Sequence, residues 1–133
     1  AMKESGTTEW LANHLLSVGG GLSGYGLLLM FYMATSLLTE ILSNNASVVL
    51  MIPIAVEVAS SLGLNPYAFM IAVTFAASNS YMTPIGYQTN TMVYGPGGYR
   101  FLDFTRVGAP LTFLLTILTP LLIIWLYGLT PIG

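Results

Sequence analysis

Two stretches carry most of the chain's polar chemistry. The first, TEILSNNASVVLMIPIA at residues 39–55, sets Glu40, Ser43, Asn44, Asn45 and Ser47 between two apolar runs. The second, SYMTPIGYQTNTMVYG at residues 80–95, gathers Thr83, Tyr87, Gln88, Thr89, Asn90 and Thr91 around Pro84 and Gly86. A helix that begins at the tip of residues 43–45 would turn its unpaired N–H groups and positive dipole end outward, which attracts an anion. A helix that ends just before would offer carbonyls suited to a cation. The chemistry on offer is ion binding.

These groups sit in a chain built for lipid. Charged residues make up 6% and hydrophobic residues 55%, with a mean hydropathy of +0.78. A soluble domain carries about 25% charge and covers its surface with it. The composition therefore predicts an all-α integral membrane protein. No basic patch suggests nucleic acid. Cysteine is absent and His14 is the only histidine, which excludes disulfides, haem, Cys-zinc and His-rich metal sites. The start, AMKESGTTEW, lacks the basic-then-apolar pattern of a signal peptide. It reads as the tail of an earlier helix, and the chain is expected to be a fragment of a larger transporter.

Four elements must position the two stretches. Residues 7–18 are too short and polar to span, and their greasy and wet sides predict an interfacial arm helix. GGGLSG then breaks the chain. Apolar runs at 22–42 and 46–62, with only Ser43, Asn44 and Asn45 between them, predict a helical hairpin over 22–62. GLNP at 63–66 supplies a C-cap glycine and a turn. A third run, 67–82, leads without a charged stop into TPIGYQTNT, which predicts a broken helix over 67–94. The last transmembrane helix is expected over 104–127, with Trp125 and Tyr127 for an aromatic belt. Arg100 and Arg106 place residues 95–106 in the cytoplasm by the positive-inside rule.

The hairpin has two readings. Its turn could lie at the membrane surface, where Ser and Asn are common. Alternatively it enters and leaves by one face and ends at mid-depth, where irregular backbone is tolerated only against a cavity or buried in protein. The absence of Lys, Arg, Gly and Pro at the tip, its polar flanks and the shortness of the second run favour the re-entrant form. TPIGYQTNT likewise reads either as a surface loop or as a helix unwound at the midplane, the usual site of ions and substrates in secondary transporters.

At SNN and at ASNSYMTPIGYQTNTMVYGPGGYRFLDFTRVGAPL the chain resembles the divalent anion/sodium symporter family. That family lies within an ion-transporter superfamily that includes citrate and arsenite carriers. Its members carry a Ser-Asn-Thr tip on a re-entrant hairpin in each of two inverted repeats; here Asn45 replaces the Thr. The resemblance covers nearly the whole chain and corresponds to the end of the second repeat. It implies a missing N-terminal repeat, a homodimeric full-length carrier and a multi-pass protein of the bacterial inner membrane. It implies a sodium site from Thr39, Leu42, Ser43 and Asn44 on one side and Thr83, Pro84, Ile85 and Gly86 on the other. It implies a small divalent anion, sulfate or a di- or tricarboxylate, beside it on Ser43, Asn44, Asn45, Thr89 and Asn90. Sodium is the implied coupling ion, with no further cofactor or metal, and transport rather than enzyme catalysis is expected.

Glu40 and Glu57 are intramembrane carboxylates, hence candidates for function. Glu40, three residues before the tip, would complete a cation site, take a proton, or only bond to neighbouring hydroxyls. Glu57 reads as a carboxylate reaching for water. A proton-coupled or channel-like anion or arsenite permease of the same superfamily, and a non-transporting membrane subunit, remain as alternatives. Three other motifs fail. GLSG at 21–24 has the form of a rhomboid-protease nucleophile, but no histidine follows it. GYG at 24–26 lacks the Thr-Val of a potassium filter. YGPGGYR has no preceding strand and makes no phosphate loop.

Overall fold

A computed structural model describes residues 24–128 and, before them, Gly6, Trp10, Asn13, His14 and Ser17. The arm helix expected over 7–18 otherwise lies outside the described residues. Five helices follow: α1 (Gly24–Thr39), α2 (Asn44–Ser61), α3 (Pro66–Ala77), α4 (Gln88–Tyr94) and α5 (Phe101–Tyr127). The protein is an all-α membrane protein. By length and composition α2 and α5 can cross a bilayer, with mean hydropathies of 1.2 and 2.2, while α1 and α3 are shorter apolar helices.

α1 buries Leu27, Leu28, Phe31, Tyr32, Thr35, Ser36 and Thr39, two adjoining columns at helical spacing. α3 buries Ala68, Phe69, Ala72, Val73, Ala76 and Ala77 in the same pattern. α2 adds Ala55 and Ala59, and α5 contributes Gly108, Thr112 and Thr116 at every fourth position. Small residues on facing helices let backbones approach closely. That close packing replaces the hydrophobic drive, which is weak between helices in lipid. Phe31 and Phe69 meet edge to face at the centre, with ring centroids 5.6 Å apart.

Local signals end the helices. Leu64 N–H bonds the Ala59 carbonyl at 2.8 Å and Gly63 N–H the Ser60 carbonyl at 3.2 Å, while Gly63 takes φ +67°. This is the left-handed cap that GLNP foretold. Asn65 then caps α3 by accepting Tyr67 N–H at 3.0 Å, with Pro66 in the first turn. Asn65 also donates to the carbonyls of Tyr127 and Gly128, both at 3.4 Å, and so ties the far end of α5 to this turn.

Helix boundaries differ from the sequence reading at both ends of the polar contact: α1 ends at Thr39, not at residue 42. α3 stops at Ala77, five residues before the expected break after Met82. The residues from Gln88 through Asn90 and Thr91 are helical rather than unwound. α5 starts at Phe101, not Phe104, because the Asp103 carboxylate accepts Arg100 N–H at 2.7 Å and caps the first turn. At 18 residues α2 is also long enough to span, so its length does not separate a re-entrant hairpin from a spanning one.

Candidate functional site

The hairpin tip and the unwound segment 78–87 meet. α1 loosens over Glu40, Ile41 and Leu42, whose N–H groups bond back to Leu37 and Leu38. Ser43 is extended (φ −63°, ψ 154°), and its Oγ accepts Ala46 N–H at 3.2 Å to start α2. Thr39 Oγ1 lies 2.8 Å from both the Asn44 side-chain oxygen and the Ala77 carbonyl. One residue at the end of α1 thereby touches both the start of α2 and the end of α3.

Glu40 organises the rest. It is 4% exposed. Its Oε1 accepts the N–H groups of Tyr81 at 2.8 Å and Met82 at 2.9 Å. Its Oε2 accepts Thr83 N–H at 2.8 Å, Thr83 Oγ1 at 2.9 Å and Ser80 Oγ at 3.3 Å. Three consecutive amides that lack helical acceptors thus converge on one carboxylate, which meets the demand that buried backbone groups be paired. The carbonyls of the segment are met from elsewhere. Asn90 Nδ2 donates to Ser80 O at 2.9 Å and Thr83 O at 3.1 Å; Thr91 Oγ1 donates to Pro84 O at 2.6 Å; Thr105 Oγ1 donates to Met82 O at 2.9 Å.

Two glycines permit this contact. A Cβ on Gly86 would stand 2.8 Å from the Thr39 carbonyl oxygen and 3.1 Å from Glu40 Cα. A Cβ on Gly108 of α5 would collide with the Tyr81 carbonyl. Gly86 is therefore needed for close approach, since its φ is not positive. Asn79 donates to the Tyr32 hydroxyl, which in turn donates to Thr119 Oγ1 at 3.3 Å, joining the segment, α1 and α5.

Beside a hollow of about 410 Å³ lined by Ser43, Ile85, Gly86, Gln88, Thr91 and Met92, two further hollows flank the junction. One, of about 350 Å³, is lined by Asn44, Ser78, Ser80, Tyr81, Tyr87, Thr89 and Asn90. The other, of about 210 Å³, is lined by Ser43, Asn44, Asn45, Gly86, Tyr87 and Gln88. Asn44 and Tyr87 form the wall between them. All the expected anion residues line one hollow or the other. Of the expected sodium residues, Thr39, Thr83, Pro84 and Gly86 lie at the contact itself, while Leu42 and Ile85 are exposed, at 38% and 63%. Glu57 is exposed and remote from this network. Sequence reasoning missed Ser78, Ser80 and Tyr81. The available signal was ASNS, a polar cluster just before the part read as broken.

No Lys or Arg lines either hollow, so their lining offers hydroxyls and amides only. A family model for the citrate transporter matches residues 1–132. The chain belongs to the citrate transporter family. This citrate transporter segment is 72% identical over 131 residues to the uncharacterized transporter sll0640 of Synechocystis, covering 98% of the chain and 21% of that protein. It is 36% identical to sodium/sulfate cotransporter 1 of Chlamydomonas reinhardtii over 94% of the chain and 14% of the relative. It is 30% identical to human solute carrier family 13 member 4 over 80% of the chain and 17% of the relative. The segment thus spans about a fifth or less of these relatives. The citrate transporter family is a family of carriers, not of enzymes.

Proposed function

We propose that this segment forms one side of the transport site of a sodium-coupled carrier for a small divalent anion. The observation that carries the reading is the position of Asn44, in the wall between two neutral hollows at the meeting of a hairpin tip and an unwound helix. A dianion in a neutral, low-dielectric hollow is costly unless a cation accompanies it. Oxygens at the Thr39–Gly86 contact, with the Asn44 amide, would hold sodium. Donors from Ser43, Asn44, Asn45 and Thr89 would face the anion. Asn90 directs its N–H groups at loop carbonyls and shapes the wall rather than binding the anion.

What supports a re-entrant hairpin is its uncharged Ser43–Asn45 tip with polar flanks. The Tyr81–Met82 stretch touches α5 at Gly108, two turns or about 10 Å inside a helix about 40 Å long. Glu40, three residues before the tip, bonds that stretch, so the end of α1 lies near the Phe101-side third of α5. An opposed repeat elsewhere in the full-length carrier would supply the facing wall, and the carrier would work as a homodimer in the inner membrane.

The test is uptake of sulfate and of citrate by the full-length carrier in proteoliposomes, with sodium replaced by choline at fixed pH. Uptake should fall to background without sodium. Labelling of a cysteine introduced by Asn44→Cys should slow when the carried anion is present. Sodium-independent uptake, or labelling indifferent to both anions, would remove this reading.

A further inference from the structure

The gap between α3 and α4 leaves three N–H groups and three carbonyls without helical partners, and two neighbouring residues of the hairpin meet all three N–H groups and one carbonyl. In an unbroken helix the N–H groups of Tyr81, Met82 and Thr83 would bond the carbonyls of Ala77, Ser78 and Asn79. Here Glu40 takes all three N–H groups, and Thr39 Oγ1 sits 2.8 Å from the Ala77 carbonyl. Pro84 explains less. Its missing N–H frees the Ser80 carbonyl, which Asn90 bonds, its ring crowds that same carbonyl, and it pushes Thr83 out of the helical region, but none of this reaches back to residues 77–79. The helix has already ended at Ala77 by then.

We infer that Thr39 and Glu40 act as a wedge that holds residues 78–83 unwound, with Glu40 as a positioning residue for the groove. The hairpin end supplies an acceptor for the three freed amides and a donor for one freed carbonyl, that of Ala77, at a single place. The discontinuity is then imposed from a residue some forty positions away rather than by local proline and glycine. Withdrawal of the hairpin end would return the three amides to their own helix and lengthen α3 through Met82. Ser78, Ser80 and Tyr81, which line the larger hollow, would be carried out of it. Hairpin displacement and loss of the groove are in this way one event. The transport consequence rests on the proposed carrier function; the wedge itself does not.

Spin labels at Phe75 and Met92, both exposed, report the span across the break in the full-length carrier. Pro84→Ala should leave their distance distribution as in the wild type. Glu40→Gln, which sets an amide NH2 against backbone donors, should shift it by several ångström or add a second population. Thr39→Val should move it the same way by less, and it serves where Glu40→Gln does not fold. Glu57→Gln should do nothing. A shift with Pro84→Ala and none with either wedge variant overturns the inference, as do unchanged distances in all of them. Folded Glu40→Gln carrier should also need about tenfold more sodium for half-maximal uptake, as expected for lost hydrogen bonds to a charged group. A purely structural role would lower the amount of folded carrier and leave that concentration alone. Wild-type uptake indifferent to sodium would sink the carrier reading while the distances still judge the wedge.

Discussion

Thr83 is joined to Glu40 through both its backbone and its side chain. Its N–H and hydroxyl lie 2.8 and 2.9 Å from Glu40 Oε2, and the same hydroxyl lies 2.9 Å from the Glu40 backbone carbonyl. It also accepts Gly86 N–H at 3.2 Å. Thr83→Val keeps the shape and the backbone bond but loses every hydroxyl contact. The variant should lose about 1–3 kcal/mol of stability, from unpaired buried groups at Glu40 and Gly86. A lower Tm in detergent, with weaker sodium-dependent uptake, is the expected result.

Gly86→Ala should be more damaging than its single methyl suggests. The new Cβ would press on the Thr39 carbonyl and Glu40 Cα, both backbone atoms that cannot rotate aside. Overpacking of this kind costs on the order of 1–3 kcal/mol. Transport should be lost even where the variant folds, since relief requires the hairpin to move off the broken helix. Gly63→Ala is the contrast: open space surrounds it, and only its positive φ is strained. Uptake measured beside Tm separates the two.

Tyr81 and Ser78 line the larger hollow without belonging to the Glu40 cluster through their side chains. Tyr81→Phe and Ser78→Ala should therefore leave Tm within a degree or two. Each should raise the anion concentration for half-maximal uptake by a few-fold, the scale of one hydrogen bond worth about 1 kcal/mol. Unaltered anion affinity in both would place the anion on the other side of Asn44.

Asn65 lies at the opposite end, buried at 3%, where it caps α3 and reaches the last carbonyls of α5. Asn65→Ala should cost about 1–2 kcal/mol through the lost cap. It should not change the sodium or anion concentrations for half-maximal uptake in the carrier that folds. Thermal melts beside uptake titrations provide the check.

Much of the architecture was written in local chemistry. Gly63, Asn65 and Pro66 announce the turn between α2 and α3, and the polar SNN between apolar runs announces the hairpin. The early end of α3 was not legible. SNS at 78–80 is the one local signal, since Ser and Asn favour caps and turns, and it is weak beside the stop at Pro84. The cause lies in Glu40, a contact over 41 positions of sequence to Tyr81. The same distance hid the role of Glu40 itself: neighbouring hydroxyls were one expected partner, yet three of its five donors are backbone amides. The start of α5 at Phe101 was legible locally, since an acidic residue three places into a helix, here Asp103, is an ordinary cap.

The contact of Gly108 with Tyr81 divides α5 unequally. About 10 Å of helix lies on the Phe101 side and about 29 Å on the Tyr127 side. With α5 across a bilayer, a charge resting beside Tyr81 stands electrically close to one aqueous phase. It has then crossed only a minor part of the transmembrane voltage, at roughly 2.3 kcal/mol per unit charge for a full 100 mV. The longer path carries most of the field, so membrane potential would act chiefly on exchange with the Tyr127 side.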